Sequence, residues 1–154
     1  MTQPASPELD MASEAVKVAQ DRVRLFRLAF GKADTDQVVN PAELERALSV
    51  LSSNGRISIQ CNVPDPVPRC HAQRLALGAL CLETAMAWGG HIEVSPGTVF
   101  GSADRMMVDA AVWASLQSTN APAKLTPALV HFAVLAQTGP ADVEATANSL
   151  RLTV

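Results

Sequence analysis

The sequence predicts an α+β fold: a two-layer sandwich of a mixed β-sheet with helices on one face, preceded by one long bundle-type helix. Three observations lead there. Apolar residues step by three and four from Ala12 to Phe30, ahead of Gly31. A second segment, from Cys70, is apolar around nearly its whole circumference and runs through Gly89-Gly90 into an alternating strand. Further short alternating stretches come in pairs, joined by turn residues and separated by helical segments.

The first helix is announced by Ser6-Pro7-Glu8, a cap followed by proline in the first helical position and an acid in the first turn. Ala12, Val16, Ala19, Val23, Phe26 and Phe30 form a heptad stripe. Met11, Ala15, Val18, Leu25 and Ala29 form a second beside it, interrupted by Arg22. The apolar arc is wider than packing against one neighbour requires. It reads as a helix wedged against the domain or as half of a helical hairpin in a dimeric bundle. The second is preferred, because no other segment carries a matching heptad. Residues 1–31 are therefore taken as an N-terminal dimerising helix, and residues 40–154 as an α/β domain.

Lys32 to Val39 reads as a polar connection. Asn40-Pro41-Ala42-Glu43 repeats the start signal and leads a short helix to Leu51. After a turn at Ser52 to Gly55, Arg56 to Cys61 alternates as a half-buried strand. Between Val63 and Pro68 three prolines lack the donor hydrogen, so an extended loop outside any ladder is expected. In the apolar helix Leu75, Ala79, Leu82 and Met86 recur at helical spacing, while Ala76, Leu77, Leu80 and Cys81 fill most of the remaining surface. Such a helix needs cover on more than one side. His91 to Val94 follows as a strand, and Ser95-Pro96-Gly97 turns the chain into a return strand, Thr98 to Gly101. Helices are expected over Val108 to Leu116 and from Thr126-Pro127 to Gly139. Two strands, Asp142 to Thr146 and Ser149 to Thr153, meet at a turn near Asn148.

With 154 residues and 48% hydrophobic content the chain can bury one ordinary core. Its longest apolar run, Leu75 to Leu82, is far shorter than the roughly 20 residues that span a bilayer. The start, MTQPASPELD, has neither a basic nor an apolar signal region, so a cytoplasmic location is expected. Three cysteines suit a reducing compartment better than a disulfide scaffold. A net charge of -3 offers no footprint for nucleic acid. Aromatic content of 4%, without tyrosine, offers no base-stacking platform either. The expected partner is a protein or a small molecule.

The motifs for common chemistries are missing. No Gly-x-Gly and no Gly-Lys-Ser/Thr occurs among the eight glycines, which excludes the dinucleotide and P-loop fingerprints. There is no Gly-x-Ser-x-Gly elbow. Cys61, Cys70, His71, Cys81 and His91 are close in sequence, yet no Cys-x-x-Cys or His-x3-His pair exists and no metal or other cofactor is expected. Cys81 is read as a small buried thiol. His71 is expected near the entrance of its helix, and His91 and His131 are expected to be solvated. Glu83 reads as a solvated residue or a partner for a nearby arginine rather than a general base.

Two stretches carry a resemblance. Arg24-Leu25-Phe26-Arg27-Leu28-Ala29-Phe30-Gly31 looks like the end of the second bundle helix of ChpT-type histidine phosphotransferases. Leu75 to Val94, with Gly89-Gly90 before the strand, and Leu125 to Leu135 (LTPALVHFAVL) are similar to that family's C-terminal domain. The resemblance covers nearly the whole chain in order and spacing. It implies a homodimer whose hairpins form a four-helix bundle, each joined to a degenerate histidine-kinase ATPase-like domain. It also implies phosphate relay between response-regulator receiver domains, supplied by a hybrid histidine kinase, through a histidine in a Cys-His-Asp sequence of the first bundle helix.

This sequence starts at about the second bundle helix and contains no Cys-His-Asp; Cys70-His71-Ala72 differs in follower and place. No residue is therefore assigned a catalytic role. The expectation is a phosphorelay component lacking the phospho-accepting helix, with either a start further upstream or self-association covering the missing face. A dimeric binding or scaffold protein without phosphate chemistry is the rival reading. Arg24 and Arg27 are candidate partner contacts, with a solvated helix face as the alternative. In ATP-binding relatives of this fold, asparagines on the apolar helix hold magnesium and triphosphate, and an Asp-x-Gly-x-Gly loop holds adenine. By the resemblance, the asparagine positions fall at Leu80 and Thr84. Gly101-Ser102-Ala103-Asp104-Arg105 stands in place of the loop. Neither an ATPase nor a kinase is expected.

Overall fold

The computed structural model describes residues 4, 6–34, 36–118 and 120–154; most of the leader and Thr35 of the first connection lie outside them. α1, Pro7–Phe30, begins where the sequence places it. Ser6 is extended, and its side chain accepts from the Leu9 amide. Gly31 ends it, returning its amide to the Arg27 carbonyl. Asn40 caps α2, Pro41–Leu48, through the Glu43 amide, and a 3-10 turn, Ser49–Ser52, continues it.

A five-stranded sheet forms the second layer, with strands β2 (Ile57–Cys61), β4 (Gly90–Ser95), β5 (Thr98–Ser102), β6 (Asp142–Ala145) and β7 (Ser149–Thr153). Their spatial order is β2-β4-β5-β7-β6. β2 and β4 are parallel, as the crossover through α3 (Arg69–Ala85) demands, and the remaining pairs are antiparallel. Alternation decides the faces. Ile92, Val94, Val99, Leu150 and Leu152 are buried toward the helices, while Ser58, Glu93 and Arg151 point to the other side.

α3 is the centre of the core, with eleven of its residues buried from Ala72 to Ala85. Sheet, α1 and α5 (Val130–Thr138) all pack on it, the multiple cover its composition requires. Gly78 permits the close approach to the sheet: a Cβ there would lie 3.1 Å from Val99 Cγ2. The α3–β4 link uses two glycines with positive φ, Gly89 at +94° and Gly90 at +153°.

Three expectations need correction. The connection and the proline run are not both free of pairing: β1 (Val38–Val39) lies antiparallel to β3 (Val67–Pro68). Pro68 lacks only its own donor, and the next residue supplies one, Arg69 donating to the Gln37 carbonyl at 2.8 Å. The helix expected from Val108 starts later, as α4, Ala110–Ser118, because the Asp109 carboxylate accepts from the Ala111 and Val112 amides and so ends the preceding loop. The Thr126-Pro127 start opens a 3-10 turn, Pro127–Leu129, before α5.

α1 is anchored chiefly by its last third, with Val18 packed against the core and Arg22 facing Glu83 ahead of it. Leu25, Leu28 and Ala29 are buried, but Leu9, Met11, Val16, Val23, Phe26 and Phe30 are exposed. Gln73, buried on α3, donates its amide to the carbonyls of Ala29 and Gly31 at 3.1 and 2.8 Å.

Candidate functional site

α3 carries both positions at which the resemblance places the nucleotide-binding asparagines. Leu80 is only 5% exposed and belongs to the core. The Thr84 hydroxyl lies 3.2 Å from the Leu80 carbonyl and 2.8 Å from His131 Nε2 on α5. Its one donor hydrogen is thus used within the fold, and the hydroxyl is held between α3 and α5. A side chain that reached out to a magnesium ion would need both positions free and polar. The loop after β5 is likewise occupied structurally: Ala103 donates to the Asn148 carbonyl at 2.9 Å, and Gly101 packs against Leu82.

His131 is not solvated as its helix pattern suggested. It lies half-buried with its ring 4.9 Å from that of Phe132, and burial lowers its pKa to about 4. The imidazole is therefore neutral near pH 7. His91 also departs from the expectation: it is half-buried, its Nδ1 2.7 Å from the Ser58 hydroxyl across the β2–β4 pair. His71 is exposed in the first turn of α3. α1 contains no histidine. Glu83 takes the second of its two readings, facing Arg22 at 3.6 Å. Cys81 is fully buried, which pushes its thiol pKa well up. Among the described residues no group of three or more His, Cys, Asp or Glu could hold a metal, and no helix is long and apolar enough to cross a membrane.

The second candidate region is the outer side of α1. Arg24 and Arg27 are exposed there, and Arg24 pairs with Asp21 at 3.1 Å. Both line a groove of about 630 Å³ between α1 and α2. Its floor is apolar, with Val16, Ala19, Val23, Leu28 and Ala47, and its rim adds Arg69 and Glu43 to the two arginines. Sequence reasoning offered Arg24 and Arg27 as candidate partner contacts and gave no sign that Arg69 and Glu43 share their groove. These sit at the starts of α3 and α2, and no spacing links three separate elements before they fold together. Gln73 was missed as well, since one polar residue in an apolar helix gives no sign of what it will meet.

The layers, the parallel β2–α3–β4 unit and the long first helix define an α+β sandwich of the histidine-kinase ATPase-like type. Solved structures agree at the level of fold. A bacterial phosphotransferase solved at 1.7 Å superposes with a TM-score of 0.72 at 18% identity, over 97% of this chain and 80% of that one. The histidine kinase domain of the blue-light activated histidine kinase of Erythrobacter litoralis gives 0.52 at 18%, over 91% and 72%. A longer structure of that kinase gives 0.52, over 93% of this chain and 53% of its own length. The family follows from sequence: the profile of the histidine phosphotransferase C-terminal domain matches residues 41–141, and the chain belongs to that family. No curated protein matches significantly.

Proposed function

We propose that this chain works in a phosphorelay of the ChpT type, with α1 as one element of a homodimeric helical bundle and the α1–α2 groove as a docking surface for response-regulator receiver domains. The family membership supports the phosphorelay, and a hybrid histidine kinase would be its source of phosphate. One observation carries the rest. The exposed apolar stripe of α1 continues through Val16 and Val23 into the floor of the groove, and Arg24, Arg27 and Arg69 outnumber Glu43 on its rim, so α1 offers a partner helix and an acidic partner surface adjoining, partly shared ground. On this reading residues 1–31 form the bundle element and residues 40–154 the domain.

Light scattering on the eluting protein tests the first half. A dimer is expected, and Phe26→Glu, which places a charge on the stripe outside the groove, should yield a monomer with unchanged circular dichroism. A monomeric parent would remove the bundle from the proposal. Titration with a phosphorylated receiver domain tests the second half, with Arg24→Glu/Arg27→Glu expected to weaken binding about tenfold or more. Equal binding by that variant would remove the groove.

A second reading is a dimeric binding protein of the same fold without phosphate chemistry: His131 and His91 are both half-buried, each with a ring nitrogen hydrogen-bonded within the fold, to Thr84 and to Ser58. Receiver binding without any change in the rate of phosphotransfer between receivers would select it.

A further inference from the structure

From Pro7 to Lys17 every residue of α1 is exposed, so this half of the helix has no cover from the domain. A helical segment of that length gains little stability in water without packing. Along one side of α1 run Leu9, Ala12, Val16, Ala19, Val23 and Phe26, all exposed. Their spacing, three-four-three-four-three, reads the same from either end.

Side-chain size separates the two ways in which a second copy can lie along this line. A parallel copy sets each residue opposite its own counterpart. Ala12 then meets Ala12 and Ala19 meets Ala19, leaving thin layers between bulky ones. An antiparallel copy, centred between Lys17 and Val18, sets Leu9 against Phe26, Ala12 against Val23 and Val16 against Ala19. Each alanine gains a larger partner.

Charge separates them in the same sense. Glu8 and Asp10 stand in the first turn of α1, with Arg27 in its last turn and Arg24 just before it. Acid first and base last suits the dipole of the helix itself, but any partner helix still has to meet these charges. A parallel copy brings acids level with acids and arginines level with arginines. An antiparallel copy brings Glu8 level with Arg27 and Asp10 level with Arg24, each twice by symmetry. Among the described residues Glu8, Asp10 and Arg27 form no ion pair, and Arg24 has only Asp21.

We propose that α1 pairs antiparallel with α1 of a second copy, the tip of each lying along the α1–α2 groove of the other. This rests on the homodimer put forward above and gives it a direction. Val16, Ala19, Val23, Arg24 and Arg27 all line that groove. The tip of the second copy therefore covers the two arginines, and a receiver domain competes with it for them.

Sedimentation equilibrium of the full chain measures the dimer dissociation constant of the parent, of Glu8→Arg, of Arg27→Glu and of the double variant. In an antiparallel pair each single reversal sets like charges together at two places, and the double sets opposite charges together again. Each single variant should weaken the dimer about fivefold or more, with the double returning to within about twofold of the parent. Weakening of the helix alone gives a different pattern: both reversals oppose the dipole, so the double would be the worst of the three. That outcome overturns the proposal. In a parallel pair every reversed residue still meets its own counterpart, so singles that keep the parent constant overturn it too, while leaving the homodimer standing. A monomeric parent removes the homodimer itself. Saturating phosphorylated receiver domain should convert the parent dimer to monomer, and a dimer that binds receiver intact overturns the seating of the tip in the groove.

Discussion

The side-chain amide of Gln73 donates to the backbone carbonyl of Gly31 at 2.8 Å, joining α3 to the C-terminal end of a helix 42 residues earlier in the chain. The same nitrogen reaches the Ala29 carbonyl at 3.1 Å. Carbonyls in the last turn of a helix have no partner within it, and here one buried amide serves two of them.

Gln73→Leu keeps the volume and removes the donor. Two carbonyls then lose their partner, a loss of about 1–3 kcal/mol in urea unfolding. Gln73→Glu should cost at least as much, because an ionised carboxylate placed there faces two acceptors and donates to neither. A Gln73→Leu protein as stable as its parent would show that water replaces the amide.

Titration of His131 should appear in the stability curve. Its pKa is about 4 when folded and near 6.5 when exposed, with burial as the cause. Above pH 6.5 the ring is neutral in both states and adds no pH dependence. As pH falls from 6.5 toward 4, the unfolded chain binds a proton that the folded chain refuses, so stability declines; below about 4 the decline stops. Allowing for partial exposure of the ring, the loss is about 1–2 kcal/mol. His131→Gln, which keeps a partner for Thr84 but does not titrate, should lose less stability across this window. The difference between the two unfolding series isolates the histidine from the carboxylates.

Arg74 should prove structural rather than catalytic. Its guanidinium donates to the Thr138 hydroxyl at 2.7 Å and to the Gly139 and Pro140 carbonyls at 3.1 and 2.7 Å, closing the end of α5. Arg74→Met retains the stem and loses three hydrogen bonds. A destabilisation of about 1–3 kcal/mol is expected, with hydrogen exchange rising first in the last turn of α5.

Two glycines with positive φ should respond very differently to alanine. At Gly90 a Cβ would strike the Met86 side chain and lie 2.6 Å from the Ser102 carbonyl, so about 3 kcal/mol or more is expected from strain and overpacking. At Gly55 the φ of +73° meets open space, and only the backbone strain of about 1 kcal/mol remains. Thermal unfolding of the two variants side by side checks the contrast.

Much of the architecture could be read in advance because its boundaries are marked by residues with a local mechanism. Ser6-Pro7, Asn40-Pro41, Gly31 and Gly139 act on their own backbone neighbours, and each marks an end in the structure. The surroundings of α3 were legible for a similar reason, since a helix apolar on every side has to be enclosed. What escaped depends on distant partners. The β1–β3 pair is two residues long and joins segments that local pattern assigns to loops. His131 lies where helical pattern suggested solvent, but α3 brings Thr84 across to it. The groove draws Arg24, Arg27, Glu43 and Arg69 from three helices, and half of it was invisible until they packed.

The one-sided anchoring of α1 has a mechanical meaning. From Val18, the first residue packed on the core, the helix projects back to Pro7 with little of the domain against it, an arm of about 16 Å at 1.5 Å per residue. A tilt of about 10° at the anchor swings the far tip by roughly 3 Å, about half the rise of one helical turn. The clamp that Gln73 makes on Ala29 and Gly31 therefore works as an aiming device: small errors at the pivot are magnified at Leu9 and Met11. A residue buried at the far end of α1 can in this way govern where the exposed apolar residues of its tip point.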